Sequence, residues 1–144
     1  MALLTRFVAR NTGHDFLGKS VGAGALGLWT HHLKGIEFFP SFTNGDYSGR
    51  AAKFGAGVQS FEVYDFAASV NATFVAPGGT TVGVFGGYMQ GGGHSVVSSR
   101  YGLAADQVLS MEVVTADGQF VTVSARSHPD LFWAIRGGGG SEFP

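Results

Sequence analysis

The sequence predicts a single α+β domain, and three patterns indicate this class. The chain has 144 residues, 44% of them hydrophobic, with a net charge of −1, which is enough material for one buried core. Short segments with β-strand character recur between turn residues, and two segments have helical spacing. Nine of the 24 glycines lie between Pro77 and Asp106. So glycine-rich a stretch is expected outside the core, where its backbone can approach a ligand closely.

The N-terminal part is predicted to combine two strands with long loops. Leu3 to Ala9 has strand character, and a glycine-rich loop is expected from Asn11 to Gly27. A second strand is predicted from Gly35 to Phe39. Residues 40–57 are expected to form a loop because proline and the Asn44-Gly45 pair favour turns.

The remaining elements follow from helical spacing and turn residues. A helix is predicted over Ser60 to Val70, with Ser60 as its cap, and a second over Pro129 to Arg136. A short strand is expected at Thr73 to Ala76. Residues 108–115 and 120–124 flank Asp117-Gly118, a pair typical of a tight hairpin turn.

Composition excludes several classes of function. No basic patch stands out and the net charge is −1, so nucleic acid is not an expected partner. The absence of cysteine excludes disulfides, thiolate metal sites and cysteine nucleophiles, and no metal site is predicted. No segment has the roughly 20 apolar residues of a membrane span. The N-terminal apolar run is too short for a signal peptide. The sequence does not indicate a cellular compartment.

Two nucleotide-binding patterns occur near the N-terminus. Gly13 to Ser20 matches the G-x-x-x-x-G-K-[ST] loop, in which Lys19 would contact phosphates. A helix should follow, but residues 21–27 contain three glycines, which oppose helix formation. Residues 22–27 match G-x-G-x-x-G but follow a loop rather than a buried strand. We interpret the second match as coincidental and keep the first as an alternative.

The histidines divide into two groups. The adjacent His31 and His32 cannot form an i, i+4 metal pair, and together with His128 they are interpreted as ordinary surface or core residues. His14 and His94 each stand in a loop of small residues. Two such loops, each with a histidine, indicate two walls of one site.

These residues resemble a known family. The matching segments, in order, are RNTGHD, GALGLWTHHLKGIEF, GGTTVGVFGGYMQGGGHS, YGLAADQVLSMEVVTADG and DLFWAIRGGGG. They are similar to flavin-linked oxidases with a PCMH-type FAD-binding domain, the vanillyl-alcohol-oxidase and berberine-bridge-enzyme-like group, in its fungal form. The resemblance covers nearly the whole chain. It implies a two-part domain with mixed strands and helices around a glycine-rich cleft for FAD.

The resemblance also implies which residues bind FAD. In many members the histidine at the position of His14 forms a covalent bond to the flavin; an unlinked histidine is the alternative. Some members form a second bond through a cysteine at the position of Gly79, which the lack of cysteine excludes here. The implied FAD-binding residues lie in two loops and the segment that follows them: Arg10, Asn11, Thr12, Gly13, His14, Asp15, Thr81, Val82, Gly83, Gly86, Gly87, Gly91, Gly92, Gly93, His94, Ser95, Gly102, Asp106 and Val114.

The implied activity is that of a flavin-dependent oxidoreductase. Such an enzyme transfers hydride from an alcohol or amine type C–H of a small-molecule substrate to FAD, and oxygen reoxidises the flavin to give hydrogen peroxide. Members of the family are often secreted. Residues 1–144 are expected to be a partial FAD-binding domain without the substrate domain or its catalytic base, so an inactive fold remnant is a further alternative.

Overall fold

A computed structural model describes residues 5–143 and confirms the α+β class. Its strands are β1 (Phe7–Arg10), β2 (Leu26–Trp29), β3 (Ile36–Asn44), β4 (Tyr47–Phe54), β5 (Ser110–Val114) and β6 (Phe120–Ser124), and its helices are α1 (Ser60–Ser69), α2 (Ser98–Tyr101) and α3 (Pro129–Ala134). Among the described residues the strands form three two-stranded sheets, of which β1–β2 is parallel and β3–β4 and β5–β6 are antiparallel. No helix in this part of the chain is long and apolar enough to cross a membrane.

The parallel pair β1–β2 sets the position of the first loop. The predicted strand at residues 3–9 overlaps β1, and its first two residues lie outside the described range. The loop that follows ends earlier than predicted, because β2 already begins at Leu26. Arg10 pairs with Trp29 at the end of both strands. Loop residues 11–14 therefore leave the sheet next to Trp29, the last residue of β2.

The loop predicted over residues 40–57 is wrong, because most of it forms the hairpin β3–β4. A register shift between Phe39 and Phe42 accommodates Pro40, which cannot donate a ladder hydrogen bond. The Asn44-Gly45 pair is the hairpin turn, with a φ of +62° at Gly45. The turn at Asn44-Gly45 was predicted correctly, but the strands on either side of it were not. Phe54 at the end of β4 packs against the core, a tertiary contact that the local sequence does not show.

The predicted first helix is confirmed as α1, but its cap is Gln59 rather than Ser60. The backbone N–H of Gln59 donates to Glu62 Oε2 at 2.8 Å, which is the acidic half of a capping box. Ser60 is buried in the first turn and donates to the carbonyl of Pro77 at 2.6 Å. The strand predicted at 73–76 does not form.

Part of the glycine-rich stretch lies in the core, contrary to expectation. Val84, which is 1% exposed, packs with Val58, Val63 and Ala76, and Met89, Gly92 and Gly93 are also buried. A second cluster joins β6 to α3 through Val123, Phe132 and Ile135. The predicted hairpin at β5–β6 and the helix at α3 are both confirmed, with left-handed Gly118 and Gly137 at their turns.

Candidate cofactor-binding site

A cleft of about 560 Å³ opens at the end of β1, where the first loop meets β2 and the start of α1. This volume is typical of a small-molecule or cofactor site. The lining residues come from four separate segments of the chain: Arg10, Asn11, Thr12, His14, Gly27, Leu28, Trp29, His31, Gln59 and Thr81. Five of the residues implied by the family resemblance, four in the first loop and one in the second, thus share one cleft.

A direct contact joins the two loops. His14 Nε2 lies 2.8 Å from Thr81 Oγ1, although the residues are 67 positions apart. The first loop turns sharply at Gly13, whose φ is +80°. A Cβ there would lie 2.7 Å from Arg10 Nε, so glycine allows the guanidinium to lie over the loop backbone. The two loops therefore meet at this cleft through His14 and Thr81, whereas His94, the histidine of the second loop, does not line it.

Asn11 fixes the first loop from three sides. Its Nδ2 donates to the carbonyl of Ala56 at 3.1 Å, and its Oδ1 lies 3.0 Å from His31 Nδ1. Its own carbonyl accepts from Trp29 Nε1 at 2.9 Å. A Cβ on Gly83 would approach Asn11 Nδ2 to 2.3 Å, so the second loop can reach Asn11 only because residue 83 is glycine.

The rear of the cleft is a polar network around Gln59, which is 9% exposed. Lys34 Nζ donates to Gln59 Oε1 at 3.2 Å and to Glu62 Oε2 at 2.6 Å. Burial raises the pKa of Glu62, but the hydrogen bonds from Lys34 and from the Gln59 backbone, with the charges of Lys34 and His31, outweigh it and leave this pKa below 4.5. Glu62 is therefore held as a carboxylate.

Replacing Glu62 with glutamine, which can still accept the Gln59 N–H, is expected to cost about 1 kcal/mol of unfolding free energy at pH 7, from the lost ion pair with Lys34. A carboxyl whose folded-state pKa is depressed stabilises the fold above its unfolded pKa, and this contribution disappears as the pH falls through the folded value. The difference between the two proteins should therefore be full above the unfolded value of 4.5 and should shrink as the pH falls from there through the lower folded value. Urea unfolding at pH 7 and over a descending pH series below 4.5 measures this; a difference that does not shrink along the series would contradict the role of the charge.

The cleft suits an anionic, phosphate-bearing cofactor. No carboxylate is among its lining residues, whereas Arg10 contributes a permanent positive charge. The backbone N–H groups of Thr12, Gly13 and His14 donate to no carbonyl within residues 5–143. Successive N–H groups of this kind form a nest that can bind phosphate oxygens.

The other residues implied by the resemblance do not line this cleft. Gly92 and Gly93 are buried, and their carbonyls accept from Ala105 and Ala104 at 3.0 and 2.9 Å. Gly13 and Asp15 belong to the first loop. The remainder lie in the second loop, in the segment that follows it or on β5: Val82, Gly83, Gly86, Gly87, Gly91, His94, Ser95, Gly102, Asp106 and Val114. Their contact with a cofactor stays a prediction.

Hydrogen bonds within the second loop and the segment after it stabilise these parts of the chain. Asp106 Oδ2 accepts from the N–H of Leu103 at 2.7 Å. The Tyr88 hydroxyl donates to the carbonyl of His94 at 2.7 Å, and burial raises the pKa of Tyr88 to about 12. A phenol so held remains protonated and acts as a packing anchor.

The structural context required by the other glycine motifs is absent. No helix begins directly after Gly13–Ser20; the next regular element in the described part of the chain is β2. Lys19 pairs instead with Glu142. Gly27 of the second motif lies within β2. Within residues 5–143, no cluster of three or more His, Cys, Asp or Glu could hold a metal ion.

Sequence reasoning missed five lining residues, namely Gly27, Leu28, Trp29, His31 and Gln59. Trp29 and His31 stack with ring centroids 5.3 Å apart, and Trp29 is 59% exposed. A tryptophan followed within three positions by two histidines, in Trp29 to His32, was a usable signal in the sequence. The role of Gln59 could have been suspected from Glu62 three residues later, which is the capping-box spacing.

Comparison with known proteins assigns the cofactor. The model of a family described as "FAD binding domain" matches residues 4–124. FAD-linked oxidoreductase ZEB1 of Gibberella zeae is 57% identical over 138 residues, which cover 96% of this chain and 24% of ZEB1. The chain thus spans about a quarter of the length of such curated relatives.

Solved structures agree with this assignment. The crystal structure of the VAO-type flavoprotein MtVAO615 from Myceliophthora thermophila C1 matches with a TM-score of 0.92 and 53% identity, covering 94% of this chain and 25% of that one. Glucooligosaccharide oxidase from Acremonium strictum, described with 6-S-cysteinyl, 8α-N1-histidyl FAD, matches with a TM-score of 0.76 and 26% identity, over 96% of this chain and 28% of that one. The chain therefore belongs to the family of FAD-binding domains and is similar to those of fungal FAD-linked oxidoreductases and VAO-type flavoproteins.

Proposed function

We propose that this chain is the FAD-binding part of a flavin-dependent oxidoreductase and that it attaches FAD covalently through His14. The observation that carries the proposal is the position of His14 on the cleft wall, with Nε2 engaged by Thr81 at 2.8 Å. This contact leaves Nδ1 as the ring nitrogen available for a bond. The N1-histidyl linkage described for the glucooligosaccharide oxidase supports a histidine in this role.

Covalent attachment oxidises the flavin and the histidine together by two electrons, and dioxygen is the oxidant. A bond forms between His14 Nδ1 and the 8α carbon of the flavin, and one C–H bond and one imidazole N–H bond break. The two electrons and two protons released pass to dioxygen and give hydrogen peroxide. His14 is suited to the step because a neutral imidazole nitrogen held in one orientation is an effective nucleophile.

The proposed reaction of the whole enzyme is hydride transfer from an alcohol or amine type C–H of a small-molecule substrate to FAD, with oxygen as the final acceptor. FAD supplies the redox chemistry when bound, and the protein orients it. Arg10 and the open N–H groups of residues 12–14 would hold the pyrophosphate. The resemblance gives the second-loop residues the opposite side of the cofactor. We assign the substrate domain and catalytic base to no residue of this chain.

The test is to purify the chain after expression with FAD and to record its absorbance before and after acid precipitation. Yellow colour that stays with the precipitated protein is expected. Colour that is released into the supernatant would contradict covalent attachment while leaving FAD binding intact. Colourless protein that hydrolyses ATP, and loses this activity in Lys19→Ala, would contradict the flavin function altogether.

A further inference from the structure

We propose that the first turn of α1 orients His14 for flavin attachment, with Gln59 and Thr81 as positioning residues. The inference rests on the proposed attachment of FAD to His14. It concerns two residues of the cleft wall, 22 positions apart in sequence, that hold the histidine ring in one orientation. Neither residue is required to touch the flavin for this role.

The start of α1 holds three consecutive carbonyls of the second loop. The backbone N–H groups of Phe61 and Ser60 donate to the carbonyls of Thr80 and Val82 at 3.0 and 2.9 Å. Gln59 Nε2 donates to the carbonyl between them, that of Thr81, at 3.2 Å. Because the first N–H groups of a helix have no partner within the helix, this turn is available to bind a loop. The backbone of residues 80–82 is therefore fixed against α1.

The orientation of the Gln59 amide is itself determined. Lys34 Nζ can only donate, so the atom 3.2 Å from it must be the amide oxygen. The carbonyl of Thr81 can only accept, so the atom facing it must be Nε2. The ion pair of Lys34 with Glu62, at 2.6 Å, anchors this arrangement. A flipped amide would lose both hydrogen bonds.

The last step connects Thr81 to the reacting ring. With its backbone fixed, Thr81 presents Oγ1 at 2.8 Å from His14 Nε2. A nucleophilic Nδ1 must carry a lone pair, so the ring proton has to reside on Nε2, where the threonine oxygen accepts it. With its hydroxyl oxygen in the accepting role, Thr81 holds the tautomer and the ring orientation that the covalent bond requires. It also lies beside the nitrogen from which the proton leaves.

The test compares Thr81→Val with Thr80→Val and Thr81→Ser. FAD is added to each apoprotein, and acid-stable flavin fluorescence is followed in time relative to the FAD bound before denaturation. Thr81→Val is expected to slow attachment about tenfold, since it removes one oriented hydrogen bond. Thr81→Ser keeps the hydroxyl, and Thr80→Val makes the same change at an exposed neighbour; both should stay within about twofold. Gln59→Glu, which replaces the Nε2 donor with an oxygen, should also slow attachment.

Attachment by Thr81→Val at the wild-type rate, or an equal loss in Thr80→Val, would overturn the inference and leave the proposed function standing. Wild-type protein without acid-stable flavin would overturn both. A second readout needs no FAD: the ¹⁵N shifts of the His14 ring in the apoprotein report its tautomer ratio. This ratio should change in Thr81→Val and not in Thr80→Val, and an unchanged ratio in both would also contradict the positioning role.

Discussion

Replacing His14 with alanine is expected to abolish acid-stable flavin completely. His14 is the cleft residue that faces Thr81 across the two loops, and the chain contains no cysteine that could form an alternative link. Alanine leaves no nucleophilic nitrogen at this position, whereas the open N–H groups of the loop remain for the phosphates. Noncovalent FAD should therefore still bind, more weakly. In-gel flavin fluorescence and absorbance before denaturation separate the two effects.

The matched control is His128→Asn. His128 is an exposed residue before α3 with a φ of +48°, a conformation that asparagine tolerates. It does not line the cleft, so its variant should carry the same acid-stable flavin as the wild type. Acid-stable flavin in His14→Ala would show that another residue forms the bond.

Replacing Gly55 with alanine is expected to destabilise the fold by about 3 kcal/mol, which is the upper range for forcing an extra carbon into a packed site. A Cβ at residue 55 would lie 2.2 Å from the carbonyl oxygen of Leu33. That carbonyl cannot move freely, because it accepts from the N–H of Gly57 at 2.9 Å. Urea unfolding followed by tryptophan fluorescence measures the loss.

Gly35→Ala is the control for the Gly55 variant. Gly35 is the hydrogen-bond partner of Gly55, since its carbonyl accepts from the Gly55 N–H at 2.7 Å, yet a Cβ on Gly35 would meet no atom within 4 Å. Its stability should change by less than about 0.5 kcal/mol. Equal costs in the two variants would contradict the close approach to Leu33 as the cause, because the lower entropy of the unfolded chain with alanine favours folding in both.

Elements encoded by local signals could be predicted from the sequence. Asp117-Gly118 predicted the hairpin β5–β6, and apolar spacing predicted α1. The hairpin β3–β4 was missed because Pro40 usually ends a strand. Here a register shift absorbs it, and the sequence carries no local sign of that shift. The cap of α1 was misplaced by one residue for a similar reason, since Ser60 is used by the carbonyl of Pro77 instead.

The candidate site shows the same division. The sequence by itself determined the composition of the two loops, the membership of the FAD-binding family and the exclusion of a cysteine link, because these depend on residue type and order alone. Only the tertiary structure decided that Thr81 faces His14 and that Gln59 and His31 belong to the cleft. These contacts join residues 20 to 67 positions apart. Such partners depend on how α1 and β2 pack against the loops, and local backbone preferences do not specify that packing.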